Sequence, residues 1–90
     1  MSGKRSNGEF HLPDVRRMRR EIGRRMQDAR IRSQQTQEEV ATQMQISRTS
    51  ITAWEAGRYG FNLTTAIQLA EVLETTLGFL AGEEEWGGEA

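Results

Sequence analysis

Arginine is the residue type with the most chemistry to offer in this 90-residue chain, and it is unevenly placed. Residues 1–32 hold Lys4, Arg5 and eight further arginines against Glu9, Asp14, Glu21 and Asp28, a local charge of +6. Residues 33–90 hold Arg48 and Arg58 against nine glutamates, a local charge of −7. A guanidinium is a planar fork of donors that fits phosphate oxygens and the paired acceptors of a guanine edge. The asymmetry therefore points to a basic surface that meets a polyanion or an acidic partner, and an acidic end that does not. The alternative is internal neutralisation or a merely solvated face. Other chemistries lack parts. Without cysteine there is no disulfide, thiolate metal site or thiol nucleophile, and the single histidine, His11, lies in the N-terminal stretch. The carboxylates fall on solvated faces or in the tail, so no pair is held for acid and base work. We expect no enzyme, no cofactor and no metal.

The elements that must position the arginines follow from spacing. A chain this short supports one small core. Residues 1–13, rich in Gly, Ser and charge without a period, read as a flexible basic arm. From Val15 the apolar positions 15, 18, 22, 26 and 29 mark one helical face, predicting a long first helix over 14–33 with Pro13 and Asp14 at its start. Thr36 and Glu39 form a capping box for a second helix, 37–44, with Val40, Ala41 and Met44 inward. Ser47 caps a third, 48–56, whose Ile51 and Trp54 share a face and which Gly57 stops. Asn62 caps a fourth, 63–73, with Leu63, Ile67, Leu69, Ala70 and Leu73 as its apolar set. Thr76 opens a last short turn through Leu77, Phe79 and Leu80, closed by Gly82. Residues 83–90 are acidic and glycine-rich, the composition of a disordered tail. No strand alternation is visible, so the fold class is all-α. Residues 14–82 form the folded domain in this reading. No run approaches the about 18 apolar residues of a membrane span and no signal-peptide pattern opens the chain, so we expect a cytoplasmic protein, bacterial or phage-encoded.

The second and third helices, joined by a break of a few residues, with small Ala41 in the first and Ile46 in the turn, describe a helix-turn-helix. With Ile51 and Trp54 tied to the core, the opposite face of the third helix carries Thr49, Thr52, Ala53 and Ala56, flanked by Arg48. It is short-chained and nearly free of acid, the profile of a surface that enters a DNA major groove.

Residues 22–80 resemble the lambda-repressor and Cro type of helix-turn-helix domain (the Xre-type family), giving an expected five-helix fold. The stretch TQEEVATQMQISRTSITAWEAGR, 36–58, carries the likeness: Thr-Gln opening the second helix, Ala on its inner face, Ser-Arg opening the third and Trp-Glu-x-Gly closing it. IGRRMQDAR at 22–30, NLTTAIQLAEVL at 62–73 and LGFL at 77–80 match the remaining helices. The resemblance implies phosphate contacts from Gln37, Ser47, Ser50, Arg58 and Asn62, and base contacts from Arg48 and Thr49 with Thr52 and Ala53 behind them. It also implies a structural ion pair between Arg30 and Glu55. Three positions depart from the family pattern. Gln45 stands where glycine is usual in the turn, so a non-glycine residue is expected at positive φ; Gln35 replaces a leucine, and Glu74 a common glycine.

Arg16, Arg17, Arg20 and Arg24 cluster on the polar side of the first helix and, with Lys4 and Arg5, suggest phosphate contacts beyond those of the family domain. Met18, Met26, Met44 and Trp54 read as core, whereas Ile31 points away from the core face. Leu77, Phe79 and Leu80 cap the core and also lie where family members dimerise. The expected function is a sequence-specific transcriptional regulator, repressor-like, bound to a double-stranded palindromic operator as a homodimer. The alternative is a protein-interaction module such as an antitoxin, with a protein partner and with DNA binding shared or secondary.

Overall fold

Five short polar side chains set where the helices begin. The computed structural model describes residues 12–85, and these form α1 (Val15–Arg32), α2 (Gln37–Met44), α3 (Arg48–Glu55), α4 (Leu63–Val72) and α5 (Leu77–Ala81), with no strand among them. Asp14, Thr36, Ser47, Asn62 and Thr76 are the N-caps, each accepting a hydrogen bond from an amide of the first turn that would otherwise lack an intrahelical partner. At α2 the box closes both ways: the Glu39 amide donates to Thr36 Oγ1 at 3.0 Å, and the Thr36 amide donates to Glu39 Oε1 at 2.8 Å. Left-handed residues end the helices or follow them. They are Gln34, Gln45 and Glu74 at φ near 60°, and the glycines Gly57 and Gly82. The first helix starts one residue later than expected because Asp14 serves as its cap.

The core gathers Met26 and Ala29 of α1, Val40 and Ala41 of α2, Ile51 of α3, Leu69 and Ala70 of α4 with Leu73 just after it, and Phe79 and Leu80 of α5. Trp54 packs partly buried at its edge and meets Phe61 edge to face, ring centroids 5.0 Å apart. Gln35, standing where leucine was usual, lies half-buried and donates to the Val72 carbonyl at 2.8 Å, tying the α1–α2 connection to the end of α4.

Several apolar positions correct the sequence-based core. Val15 is 55% exposed and Met18 43%, although both continue the periodic face of α1. At 18 residues α1 spans about 27 Å, and at its start Met18 faces Leu80, Ala81 and Gly82 only across an open groove that Asp14, Arg17 and Glu21 also line. Leu63 and Ile67 are exposed as well, because α4 turns Ala66, Leu69, Ala70 and Leu73 inward instead. Conversely, Phe79 and Leu80 are 5% and 1% exposed, so in a helix of five residues these two belong to the core and are not free to form a dimer surface. Ile31 is exposed, as its position on α1 implies. Glu84, assigned from composition to the tail, is held: Thr76 Oγ1 donates to its carboxylate at 3.0 Å and Arg25 to its carbonyl at 3.5 Å. Residues 1–11, including Lys4 and Arg5, and 86–90 lie outside the described residues.

Candidate nucleic-acid interface

The turn between α2 and α3 is made by one left-handed residue. Gln45, at φ 60° and ψ 43°, lets the Ile46 amide reach back to the Ala41 carbonyl at 3.0 Å, and the chain re-enters a helix at Ser47. Ser47 Oγ accepts from the Ser50 amide at 3.2 Å, and the two hydroxyls lie 3.2 Å apart. The first amides of α3 and the Arg48 side chain emerge together at that end, an arrangement suited to an anionic backbone.

Two neighbours fix α3. Ile51 is fully buried beside Val40 and Ala41 of α2. On the other flank α1 crosses at Gly23, where a Cβ would stand 2.5 Å from the carbonyl oxygens of both Trp54 and Glu55. This second crossing corrects one expected base contact. Ala53 is only 4% exposed and cannot present its methyl to a groove. The open arc is therefore narrower than a single buried face implies: Arg48, Thr49 and Ala56 are exposed and Thr52 is half-buried.

Behind that arc runs a chain of polar contacts. Arg30 grips Glu55 with one edge of its guanidinium, Nε to Oε2 at 2.7 Å and Nη2 to Oε1 at 3.2 Å, with the side chains 12% and 5% exposed, while Nη1 donates to the Gln35 carbonyl at 3.0 Å. Gln37 Nε2 donates to Glu55 Oε1 at 2.9 Å, and Gln37 Oε1 accepts from Arg48 Nε at 3.3 Å and from Thr52 Oγ1 at 3.0 Å. A carboxylate that is 5% exposed thus fixes the amide, and the amide steadies the Arg48 and Thr52 side chains. Gln37 Nε2 carries a second hydrogen besides the one given to Glu55. Sequence reading found the Arg30–Glu55 pair only through the resemblance and missed its extension to Arg48 and Thr52. The sole hint lay in Gln37 opening α2 directly after its cap.

The remaining residues border this face. Asn62 Oδ1 accepts from the Thr65 amide at 2.8 Å as the cap of α4, while its amide nitrogen remains available; Arg58 is exposed just after Gly57. Arg16, Arg17 and Arg20 are exposed, and Arg24 lies 3.5 Å from Glu21. Arg17, Arg20 and Arg24 line a shallow groove together with Glu21 and Ala56. Gly57 packs on the Arg20 backbone, where a Cβ would come within 2.8 Å, and Arg19 Nε lies beside Gly60. The start of α1 therefore runs along the loop that carries Arg58. Arg19 was not singled out from the sequence, because its helical position lies nearer the apolar stripe than the arginine cluster.

A model of the helix-turn-helix family matches residues 26–80. The chain belongs to this lambda-repressor-like helix-turn-helix family. Its α2 and α3 are the helix-turn-helix pair of a DNA-binding domain, and residues 15–25 of the long α1 precede the segment shared with the family. The chain is also similar to the crystal structure of hypothetical transcription factor NHTF from Neisseria, with 28% identity over 80% of this chain and 83% of that one and a TM-score of 0.67. No curated protein matches it. Among the described residues no helix is long and apolar enough to cross a membrane.

Proposed function

We propose that the chain is a transcriptional regulator that occupies a palindromic operator as a homodimer, with α3 of each copy in a major groove. The observation that carries this reading is the exposed arc Arg48, Thr49, Thr52, held from behind by Gln37, Glu55 and Arg30. Arginine pairs with the N7 and O6 of guanine, and a threonine methyl packs on the thymine methyl. In this reading Arg48 reads a guanine and Thr49 an adjacent A·T pair. Ser47, Ser50, Gln37, Arg58 and Asn62 bond the backbone on either side. Arg16, Arg17 and Arg20, with Lys4 and Arg5, extend the backbone contacts past the family domain. Two copies are needed because one domain spans too few base pairs for useful affinity, and a pair of recognition helices about 34 Å apart reads successive turns of the duplex.

Selection of bound sequences from a random DNA pool at near-physiological salt, with the wild type and Arg48→Ala in parallel, tests the reading. A palindromic motif whose preference relaxes at one symmetric position in the variant is the expected result. Sequence-blind binding by both proteins, or no binding, overturns it in favour of a module that works through a protein partner.

A further inference from the structure

Ile31, near the end of α1, is a large apolar side chain left 59% exposed. Arg24, Arg25, Gln27, Asp28 and Phe79 join it in lining a shallow groove of about 410 Å³. Phe79 supplies an aromatic floor, and the Arg25 guanidinium lies over its ring, 5.2 Å from the centroid. Asp28, the lining carboxylate, is met by Arg32 at 3.3 Å, and Arg24 stands 3.5 Å from Glu21. Arg25 therefore sets the charge of the groove, and it is not among the arginines assigned to DNA.

The chain after α5 is led to this groove. Gly82, at φ 86°, turns it back, with Arg25 Nε 3.5 Å from where a Gly82 Cβ would stand. Arg25 Nη1 donates to the Phe79 carbonyl at 3.3 Å and to the Glu84 carbonyl at 3.5 Å. The Glu84 carboxylate accepts from Thr76 Oγ1 at 3.0 Å and fills the space where Gly78 would otherwise carry a side chain. One arginine thus lies over the floor of the groove and grips the backbone two residues before Trp86. We propose that the Trp86 indole covers the groove, seated against Ile31 and Phe79. Trp86 itself lies outside the described residues. Two residues carry the chain up to about 7 Å from Glu84. Ile31 stands six residues, about 9 Å, along α1 from Arg25, so the groove is within reach of the ring.

Charge selects this groove over its neighbours. Residues 83–85 are all glutamates, and the ring that follows them is drawn to a cationic wall. The groove under Met18 also receives Arg25, but there two carboxylates, Asp14 and Glu21, offset Arg17 and Arg25. The groove between Phe61, Leu63, Ala66 and Leu77 has no cation among its described lining. The Ile31 groove joins an aromatic floor to the guanidinium that already holds Glu84. A tryptophan suits it chemically, bringing a large apolar face for Ile31 and Phe79 and an N–H for the polar rim of Gln27 and Asp28. Seated there, the segment past Gly82 straps α5 to α1 and extends the folded unit to Trp86. The contact is independent of the operator reading and of the oligomeric state.

Nuclear Overhauser spectroscopy of the isotope-labelled full chain tests the contact, with the Trp86 indole identified by its loss in Trp86→Ala. Cross-peaks from the indole to the Ile31 methyls and the Phe79 ring are the expected result, with an upfield ring-current shift of those methyls that Trp86→Ala removes. Ile31→Glu, at an exposed position, should abolish the cross-peak to Phe79 while helical circular dichroism stays that of the wild type. An indole without cross-peaks to the folded domain, cross-peaks to Leu63 or Leu77 instead, or a Phe79 cross-peak that survives Ile31→Glu overturns the proposal. In a mixture of labelled and unlabelled chains, cross-peaks that arise between copies overturn it as well, because the occupant then comes from a second molecule.

Discussion

Glu55 ends the helix that carries Arg48, Thr49 and Thr52, and a bare carboxylate there would repel phosphate. Its 5% side-chain exposure and the two bonds from Arg30 neutralise it where it stands, and the remaining capacity goes to Gln37. The pair therefore does two jobs at residue scale: it screens an acid from DNA and anchors the amide that steadies Arg48 and Thr52. Removing one member of a buried pair strands the other charge, at a cost of about 3–5 kcal/mol. Arg30→Met should lower unfolding stability by that order in urea titration, with an unchanged slope against denaturant. Arg30→Met/Glu55→Leu, which removes both charges, should recover much of the loss. A single-variant loss under about 1 kcal/mol, the level of solvent-exposed pairs, would place the pair in contact with solvent and remove its anchoring role.

At the scale of elements, the crossing of α1 over α3 decides how α3 presents itself. Gly23 is the pivot, since a methyl there would press on two backbone carbonyl oxygens that cannot swing away as a side chain would. Alanine is the better helix former by about 1 kcal/mol, and overpacking costs about 1–3 kcal/mol. With contacts at 2.5 Å the second effect wins, so Gly23→Ala should be less stable and bind DNA more weakly, read by thermal unfolding and a binding titration. A gain in stability would mean that the helices part easily and that their spacing is not set here. Helix limits were legible in the chain because a cap is a local event: Thr36, Ser47, Asn62 and Thr76 sit within three residues of the amides they bond. The left-handed turns at Gln45 and Glu74 were foreseeable from the glycines they replace, but Gln34 had no such marker. What periodicity could not convey is where the body of the domain stops. Val15, Met18, Leu63 and Ile67 keep the pattern of buried residues and are exposed. Ala53 looked outward because one buried face was assumed for α3, whereas two helices cover it. The link from Glu55 through Gln37 to Arg48 joins three helices and the turn between them, a conjunction that no single segment spells out.

For the whole molecule, the opposed charges of the two halves acquire a spatial meaning through the long α1. Its first turns lie outside the segment shared with the family, and they present arginines on one side and apolar side chains on the other. If the arginine side lies along the DNA backbone, binding must depend on salt more steeply than the recognition helix alone dictates. Each phosphate neutralised contributes about 0.9 to the slope of log affinity against log salt. Arg17→Ala/Arg20→Ala should therefore flatten that slope by up to about 3.6 for a dimer, two phosphates for each copy. The selected DNA motif should not change, because backbone contacts fix position and carry no direct sequence information. Arg48→Ala should do the reverse in kind, relaxing one position of the motif. Binding titrations of both variants over a series of salt concentrations separate the two roles. An unchanged slope in the double variant would leave the arginine stripe a solvated face and return the whole footprint to α2, α3 and the loop that carries Arg58.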